Sequence, residues 1–393
     1  MKRSIKIMIL SFVVLLLGGC WSSKEIEELG LIAGTAMDLE KDRELKEKLE
    51  ADDKSLLNRP LFTLTNQFVT SSGTGAGKTE NTTAPKSYIN ISETGDSILP
   101  TLRNMTLKIE KRAFAEHEKV IIIGADLARK VSLEKALDFF IREQEMRPSC
   151  LVMISKGKAS EVLVSKKPII PAFHLYQITQ GEKRNAKIVP AMPLGKLEGK
   201  MNSGSSFLIQ NVSLEEGEAK FSGAAIIKGK TKKLLGFLNE KEVEGLAWIA
   251  GTVKGGVIRS IDKKSGQPII YEMLSLKSSI KPHLKGNQLS FHVNIQSEGR
   301  IAENWVSSGD PFKNEFLKRA ETAAKNQVKQ LIQESLQKTQ HHYKVDVAGF
   351  GNQLRIQNPA QWKKHKKNWD QTFSQIPITY HIKITIKDYG MSG

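Results

Sequence analysis

Residue types able to do chemistry are few in this chain, and their spacing excludes most of what they could do. The 393 residues carry only two cysteines, Cys20 and Cys150. That rules out a disulfide scaffold and a multi-cysteine metal site. Cys150 lies in an apolar stretch and reads as buried packing. The eight histidines, at 117, 174, 283, 292, 341, 342, 365 and 381, include no His-x-x-x-His pair of the helical zinc-site type. His341-His342 falls at a predicted helix end, where a cation complements the dipole. Gly204-Ser205-Ser206-Phe207 fails the Gly-x-Ser-x-Gly spacing of a nucleophile elbow. Gly73-Thr74-Gly75-Ala76-Gly77-Lys78-Thr79 approaches a phosphate loop, but Ser72 stands where the first glycine is required. Asn81 to Pro85 also breaks the helix whose N–H groups would hold a phosphate. Glu143 and Glu145 flank Arg142 and Arg147 as surface pairs of the structural kind. Paired acids of the glycosidase type have no sequence spacing of their own and stay open. The expectation is a chain with no catalytic, cofactor-binding or metal-binding residues.

Cys20 is different because of what precedes it. Lys2, Arg3 and Lys6 are followed by an apolar run from Ile7 to Leu17, broken only by Ser11. The run is shorter than the ~20 residues that cross a bilayer and matches the apolar region of a secretory signal peptide. Leu17-Gly18-Gly19-Cys20 resembles the bacterial lipobox, in which the cysteine is acylated on its thiol and becomes the mature N-terminus. Cys20 is therefore the expected lipidation site and residues 1–19 a cleaved leader. Each buried methylene of an acyl chain contributes about 0.8 kcal/mol of membrane affinity.

Hydrophobic residues make up 39% and charged residues 26%, which excludes a disordered chain and a polytopic membrane protein. The formal net charge is +17, spread along the chain. A cation excess beside a lipid anchor favours anionic headgroups. Nucleic acid has the matching charge, but no helix-turn-helix, aromatic platform or zinc signature is present, so no nucleic acid is expected. Lys363, Lys364, His365, Lys366 and Lys367 lie between Trp362 and Trp369. Tryptophans seven apart share a helix face, so the preferred reading packs both inward and leaves the lysines solvated.

The elements that must carry these residues follow from periodicity. Residues before Met37 read as a short helix running into a strand, 38–58 as a charged helix or loop insertion, and Leu61 to Thr70 as a strand. Ser71 to Pro85 reads as a mobile loop. Val120 to Gly124 and Cys150 to Ile154 read as buried strands, joined by a helix that Ser132 caps, with a parallel pairing. Residues 155–200, rich in proline, read as an irregular segment. Short strands follow at 207–209, 223–227 and 234–238, then a helix opened by Asn239 and Glu242 and a strand from Gly251 to Ile258. Tyr271–Ile280 and Leu289–Ile295 form a predicted hairpin about Lys285-Gly286-Asn287. Asp310-Pro311 starts a long helix with Phe312, Phe316, Ala320, Ala324, Val328, Ile332 and Leu336, joined by Leu331, as one stripe. A short helix from Pro359 and a strand over Ile376–Ile386 end the chain. The fold class is α/β: three unlike α/β domains with mixed sheets after the leader. Their bounds are 20–198, a small central domain 199–267, and 268–393 with the long helix 311–340.

Taken in order, several blocks resemble the Ger(x)C family of spore germination lipoproteins, the C subunits of nutrient germinant receptors. They are Gly19-Cys20-Trp21-Ser22-Ser23-Lys24-Glu25-Ile26, Val120 to Ala128 with Leu137 to Arg147, Gly223-Ala224-Ala225 through Trp248-Ile249, and Asp346-Val347-Ala348-Gly349-Phe350-Gly351 with Pro359-Ala360-Gln361-Trp362 and Trp369. The resemblance covers nearly the whole mature chain. Ser22-Ser23 departs from the charged or Asp-containing opening of the family. The resemblance implies three α/β domains, an acyl anchor at Cys20 on the outer face of the spore inner membrane, and integral-membrane partner subunits A and B. It implies no enzyme. Direct small-molecule binding stays open, and the alternative is a solute-binding lipoprotein capturing a small nutrient. Such a protein needs two similar lobes and a cleft, which unlike domains do not supply. A cell-wall hydrolase is a third reading, disfavoured by the missing site.

Overall fold

The computed structural model describes residues 29–57, 59–70, 87–109, 111–286, 288–307 and 313–388. The leader, Cys20, the Gly73–Thr79 stretch and the Asp310-Pro311 helix start lie outside these residues. Two mixed sheets organise the rest. The first half of the chain forms β1 (Leu29–Leu39), α1 (Arg43–Asp52), β2 (Phe62–Val69), β3 (Tyr88–Gly95), α2 (Ile98–Met105) and β4 (Arg112–Phe114). The charged 38–58 insertion is thus mostly the helix α1, which Asp42 caps by accepting the N–H of Leu45. Next come β5 (Val120–Gly124), α3 (Ala125–Lys130), α4 (Leu133–Arg142) and β6 (Leu151–Ser155). Ser132 caps α4 as its sequence position predicts, accepting the N–H of Lys135.

The 155–200 segment is more regular than its prolines suggest. It contains α5 (Ala159–Val162), α6 (Pro171–Ile178) and α7 (Leu194–Ser203). Pro171 sits in the first turn of α6, where a missing N–H costs nothing, and Pro193 is the N-cap of α7. These prolines start helices; they do not break them. Strands β7 (Phe207–Glu215), β8 (Glu218–Lys228) and β9 (Lys233–Leu238) follow.

The nine-stranded sheet has the order β3-β2-β1-β5-β6-β7-β8-β9, with β4 against the start of β1. Its centre is parallel and its two wings are antiparallel. The predicted parallel pair is present, with Val120 opposite Leu151 and Ile123 opposite Ile154. Parallel strands need cover on both faces. Ile121, Ile123, Val152 and Ile154 pack under α2, α3, α4 and α7, while Val120, Ile122, Leu151 and Met153 pack under α5 and α6. Both faces being apolar explains the unbroken hydrophobic runs.

The chain then makes α8 (Glu240–Ala250), β10 (Gly256–Ile261), β11 (Pro268–Lys285), β12 (Gln288–Asn304), α9 (Asn314–Leu336), α10 (Phe350–Gln357), α11 (Pro359–His365), α12 (Trp369–Phe373) and β13 (Ile378–Asp388). The four-stranded sheet runs β10-β11-β12-β13, with β13 parallel to β12. Gly251 is not the start of β10: it caps α8 in the left-handed region at φ 64°, a conformation glycine adopts freely. Residues 199–267 supply strands to both sheets, β7–β9 closing the large one and β10 opening the small one. One apolar core continues from Ala224, Ile226 and Leu238 through α8 and α9 to the inner face of the small sheet.

Helices α8 and α9 approach closely because of Gly245. A Cβ there would lie 2.2 Å from the Leu331 carbonyl oxygen and 2.1 Å from Ser335 Oγ. Ser335 Oγ in turn lies 2.7 Å from both the Glu242 and the Leu331 carbonyl oxygens, which share its one hydrogen. At the other end of α9, Arg319 holds Asp262 after β10, with Nε at 3.1 Å and a second guanidinium contact, while Ser265 donates to the same carboxylate. The Arg319 guanidinium holds the Asp262 carboxyl at about 2.

Two outcomes follow. Gly245→Ala gains about 1 kcal/mol of helix propensity but meets backbone, so urea denaturation should show a net loss of about 1–3 kcal/mol. Gly199→Ala in α7 meets nothing within 4 Å and should instead gain up to about 1 kcal/mol. The depressed Asp262 pKa means that its contribution is present above the unfolded carboxylate pKa and is lost as pH falls from about 4 to about 2. Asp262→Asn should flatten that part of the stability–pH curve, removing roughly 2 kcal/mol at neutral pH.

Candidate functional site: a carboxylate junction between the two sheets

The residues that close the C-terminal half are polar, buried and mutually satisfied. After α9 the chain makes a π-helical turn over Gln337–His342, a form that interrupts α-helices where a side chain must be re-aimed. Gln340 Nε2 donates to the carbonyls of Phe373 and Ile376 at 2.8 and 2.7 Å. Lys344 then takes φ 54°, and Asp346 enters the core. Its Oδ1 accepts the N–H groups of Gly349 and Phe350 at 2.9 and 3.1 Å. Its Oδ2 accepts Gly351 N–H at 2.6 Å and Trp369 Nε1–H at 2.8 Å. The first three of these are donors at the start of α10 that have no partner within the helix. Asp346 is only 6% exposed. Burial pushes its carboxyl above the usual range, and the Gly351, Trp369, Gly349 and Phe350 donors oppose that shift.

Trp369 fits because Gly351 leaves room: a Cβ would fall 2.5 Å from its Nε1. The indole stacks edge-on against Trp362 at 5.4 Å and Phe291 at 6.3 Å, and Phe350 meets Phe291 at 5.1 Å. The inward-packing reading of the two tryptophans holds: Trp369 is buried, Trp362 half-buried, and Lys363, Lys364, Lys366 and Lys367 are exposed. The Asp-x-x-Gly-Phe-Gly run and the distant Trp369 are thus one structure.

The junction continues into the large sheet. Asp370 Oδ1 accepts the N–H of Asp346 at 3.2 Å. Its Oδ2 accepts Ser206 Oγ at 3.0 Å and pairs with Lys228 Nζ at 2.8 Å. Ser206 Oγ also accepts the N–H of Gly229 at 3.1 Å. Alongside, the Tyr343 hydroxyl donates to the Phe237 carbonyl and accepts its N–H, both at 3.2 Å. It lies on Gly236, where a Cβ would fall 2.3 Å from the phenolic oxygen. His342 stacks on Tyr343 at 4.6 Å, so His341-His342 belongs to this turn.

A second polar row crosses the large sheet. Thr35 Oγ1 donates to Asn66 Oδ1 at 2.9 Å, and Gln67 bridges the Leu163 carbonyl and the Ala172 N–H. Asp38 accepts the N–H groups of Ala159 and Ser160, fixing α5. Glu118 is buried next to Thr35, and desolvation pushes its carboxyl up to about 8. Burial likewise pushes the Cys150 thiol up, in keeping with inert packing. Among the described residues, no three His, Cys, Asp or Glu side chains gather as a metal site, and no helix is long and apolar enough to cross a membrane.

Sequence reading named the Asp346 and Trp369 blocks but not their bond. Asp346 could have been found: an acid three to five residues before the N–H groups of a Gly-Phe-Gly helix start is a capping pattern. Asp370, Tyr343, Gln67 and Asn66 carried no such signal. The site joins elements of the two sheets through Asp346, Asp370 and Tyr343.

Two family models divide the chain near the β7–β8 hairpin. Residues 22–214 match the spore germination protein N-terminal domain, and residues 222–390 match the "Spore germination B3/ GerAC like, C-terminal" model. The chain belongs to this spore germination family, as the sequence blocks had indicated. It is 42% identical to spore germination protein YndF of Bacillus subtilis (strain 168) over 396 residues, covering 99% of this chain and 98% of that one. It is 31% identical to spore germination protein B3 of the same organism, with both chains fully covered. The crystal structure of the GerBC protein is similar with a TM-score of 0.61 and 27% identity, over 90% of this chain and 97% of that one. The mixed α/β architecture is therefore the family's own.

Asp346→Asn replaces one acceptor oxygen by a donor facing N–H groups. It should lower unfolding stability by roughly 2–4 kcal/mol in urea, through buried donors left without acceptors. Lys363→Ala, on the solvated side, should stay within about 0.5 kcal/mol.

Proposed function

We propose that this chain is the lipid-anchored C subunit of a spore nutrient germinant receptor. Acylated Cys20 holds it on the outer face of the spore inner membrane once the 1–19 leader is removed. It acts there with two integral-membrane subunits, A and B, in nutrient-triggered germination. The observation that carries the reading is end-to-end similarity to spore germination proteins, through both family domains. The basic start, short apolar run and Leu17-Gly18-Gly19-Cys20 support the anchor. The junction supports a scaffolding role: Asp370, Tyr343 and the shared core tie the second sheet to the first, so a contact made by one part is felt by the other.

Two measurements test this. Cys20→Ala should give a folded protein that a high-salt wash releases from the membrane fraction of the spore; a variant that stays wholly membrane-bound through that wash and functional refutes the anchor. Deleting the gene should abolish germination on some single nutrients and spare others. Normal germination on every nutrient, in a strain without a second receptor, refutes the receptor reading.

A further inference from the structure

Among the described residues, the small sheet is covered on one side only. Tyr271, Phe291, Val293, Ile295, Ile382 and Ile384 point into the core beneath α8 to α12, and the residues alternating with them point the other way. On that open face β11 carries Lys277, Lys281 and Lys285, and β13 carries Lys383 and Lys387, all exposed. His283, His292 and His381 share it; the first two rings meet edge-on at 6.3 Å, and His292 Nδ1 lies 3.0 Å from Thr379 Oγ1. Among the described outward residues of 277–298 and 379–387, Glu298 is the single acid. It pairs with Lys387 at 2.8 Å, and Lys387, Lys277 and Lys383 hold its carboxyl below the ordinary range.

The register keeps these cations apart without diluting them. Lys277 faces Gln296, which faces Lys383; Lys281 faces His292, which faces Thr379; Lys285 faces Gln288. No lysine stands opposite a lysine, the pairing that would destabilise the sheet. Lys277 and Lys383 are two strand spacings apart, about 10 Å, close to the Debye length at 0.1 M salt. Such a face is too extended and too evenly charged for one small anion. It also uses lysine, a hydrated point charge, and not the forked guanidinium that matches a carboxylate of fixed geometry. Its complement is an array of headgroup anions.

We propose that the open face of β11, β12 and β13 docks on an anionic phospholipid leaflet, giving the chain an electrostatic attachment besides its acyl group. This rests on the membrane location argued above, but the contact itself needs no acyl chain. Each lysine near an anionic surface adds about 1 kcal/mol of attraction, independent of any acyl chain.

The test uses residues 20–393 with Cys20→Ala, which contain every described element and no acyl chain. Co-sedimentation is measured with vesicles of phosphatidylcholine alone and with added phosphatidylglycerol. The expected result is binding to the phosphatidylglycerol vesicles only, weakened on raising salt from about 50 to about 300 mM. At a factor of about five per lysine removed, the triple variant Lys277→Glu, Lys281→Glu, Lys383→Glu should bind more than about a hundred-fold more weakly. Lys363→Glu, Lys364→Glu, Lys367→Glu makes the same change in net charge around α11 and should lose less than about threefold. Should the first triple variant fail to fold by circular dichroism, the three lysines are changed to glutamine, with a smaller but still selective loss expected. No binding at low salt, or equal loss in both triple variants, overturns the proposal. Binding to polyglutamate in place of the vesicles also overturns it and assigns the face to an acidic protein. Because no acyl group is present, failure here leaves the Cys20 reading standing, and failure of the Cys20 experiment leaves this one standing.

Discussion

A carboxylate buried at Asp346 sets conditions that much of the C-terminal half has to meet. An ionised carboxyl removed from water is costly unless its oxygens are filled. Here four N–H groups fill them, three from the start of α10 and one from Trp369. Each demand propagates. The N–H groups can converge only if the chain turns sharply at Gly349, which has φ 92°. The indole can reach Oδ2 only past a residue with no Cβ, Gly351. Asp346 itself arrives in place because the chain leaves α9 through a π turn pinned by Gln340 and a left-handed Lys344. The next residue after Trp369 is Asp370, whose carboxylate then points at Ser206 and Lys228. A local hydrogen-bonding requirement thus becomes the tie between the two sheets.

The large sheet meets a different constraint. Its parallel centre must be buried on both faces, so helices from distant parts of the chain have to be fixed there. Apolar packing sets their distance but not their direction. Direction comes from polar groups: buried Gln67 takes the N–H of Ala172 at the start of α6, and half-buried Asp38 takes the first N–H groups of α5. Their use there is specificity of placement.

Much of this architecture was legible because it is local. Val120–Gly124 and Leu151–Ser155 are apolar throughout, and Ser132 and Asn239 sit where a cap belongs; the latter forms a full capping box with Glu242. The stripe of α9 reads directly from Phe316 to Leu336. What could not be read is what depends on pairing across the chain. Nothing in residues 199–267 announces that their strands are shared by two sheets, because edge strands and a separate small sheet have the same alternation. The prolines of 155–200 were read as breakers because a proline at a helix start and one in a loop look alike until the next turn is known. Lys228 and Asp370 are ordinary charged residues in sequence; only the fold puts them 2.8 Å apart.

The same distinction between local pattern and long-range pairing governs the charge. A net +17 describes the whole chain and not any one surface. Around the large sheet several cations are answered: Arg59 by Asp96, Arg112 by Glu145, Lys167 by Glu218, Lys220 by Glu215 and Lys232 by Glu134. Exposed pairs of this kind add little stability, but they cancel the field at a distance. At the outward positions of 277–298 and 379–387, Lys277, Lys281, Lys285 and Lys383 share one acid, Glu298, already paired with Lys387. Uncancelled charge is what acts over a Debye length. Part of that excess is therefore gathered on β11 to β13. The neutral glutamine, asparagine and serine residues between the lysines let a stable sheet carry it.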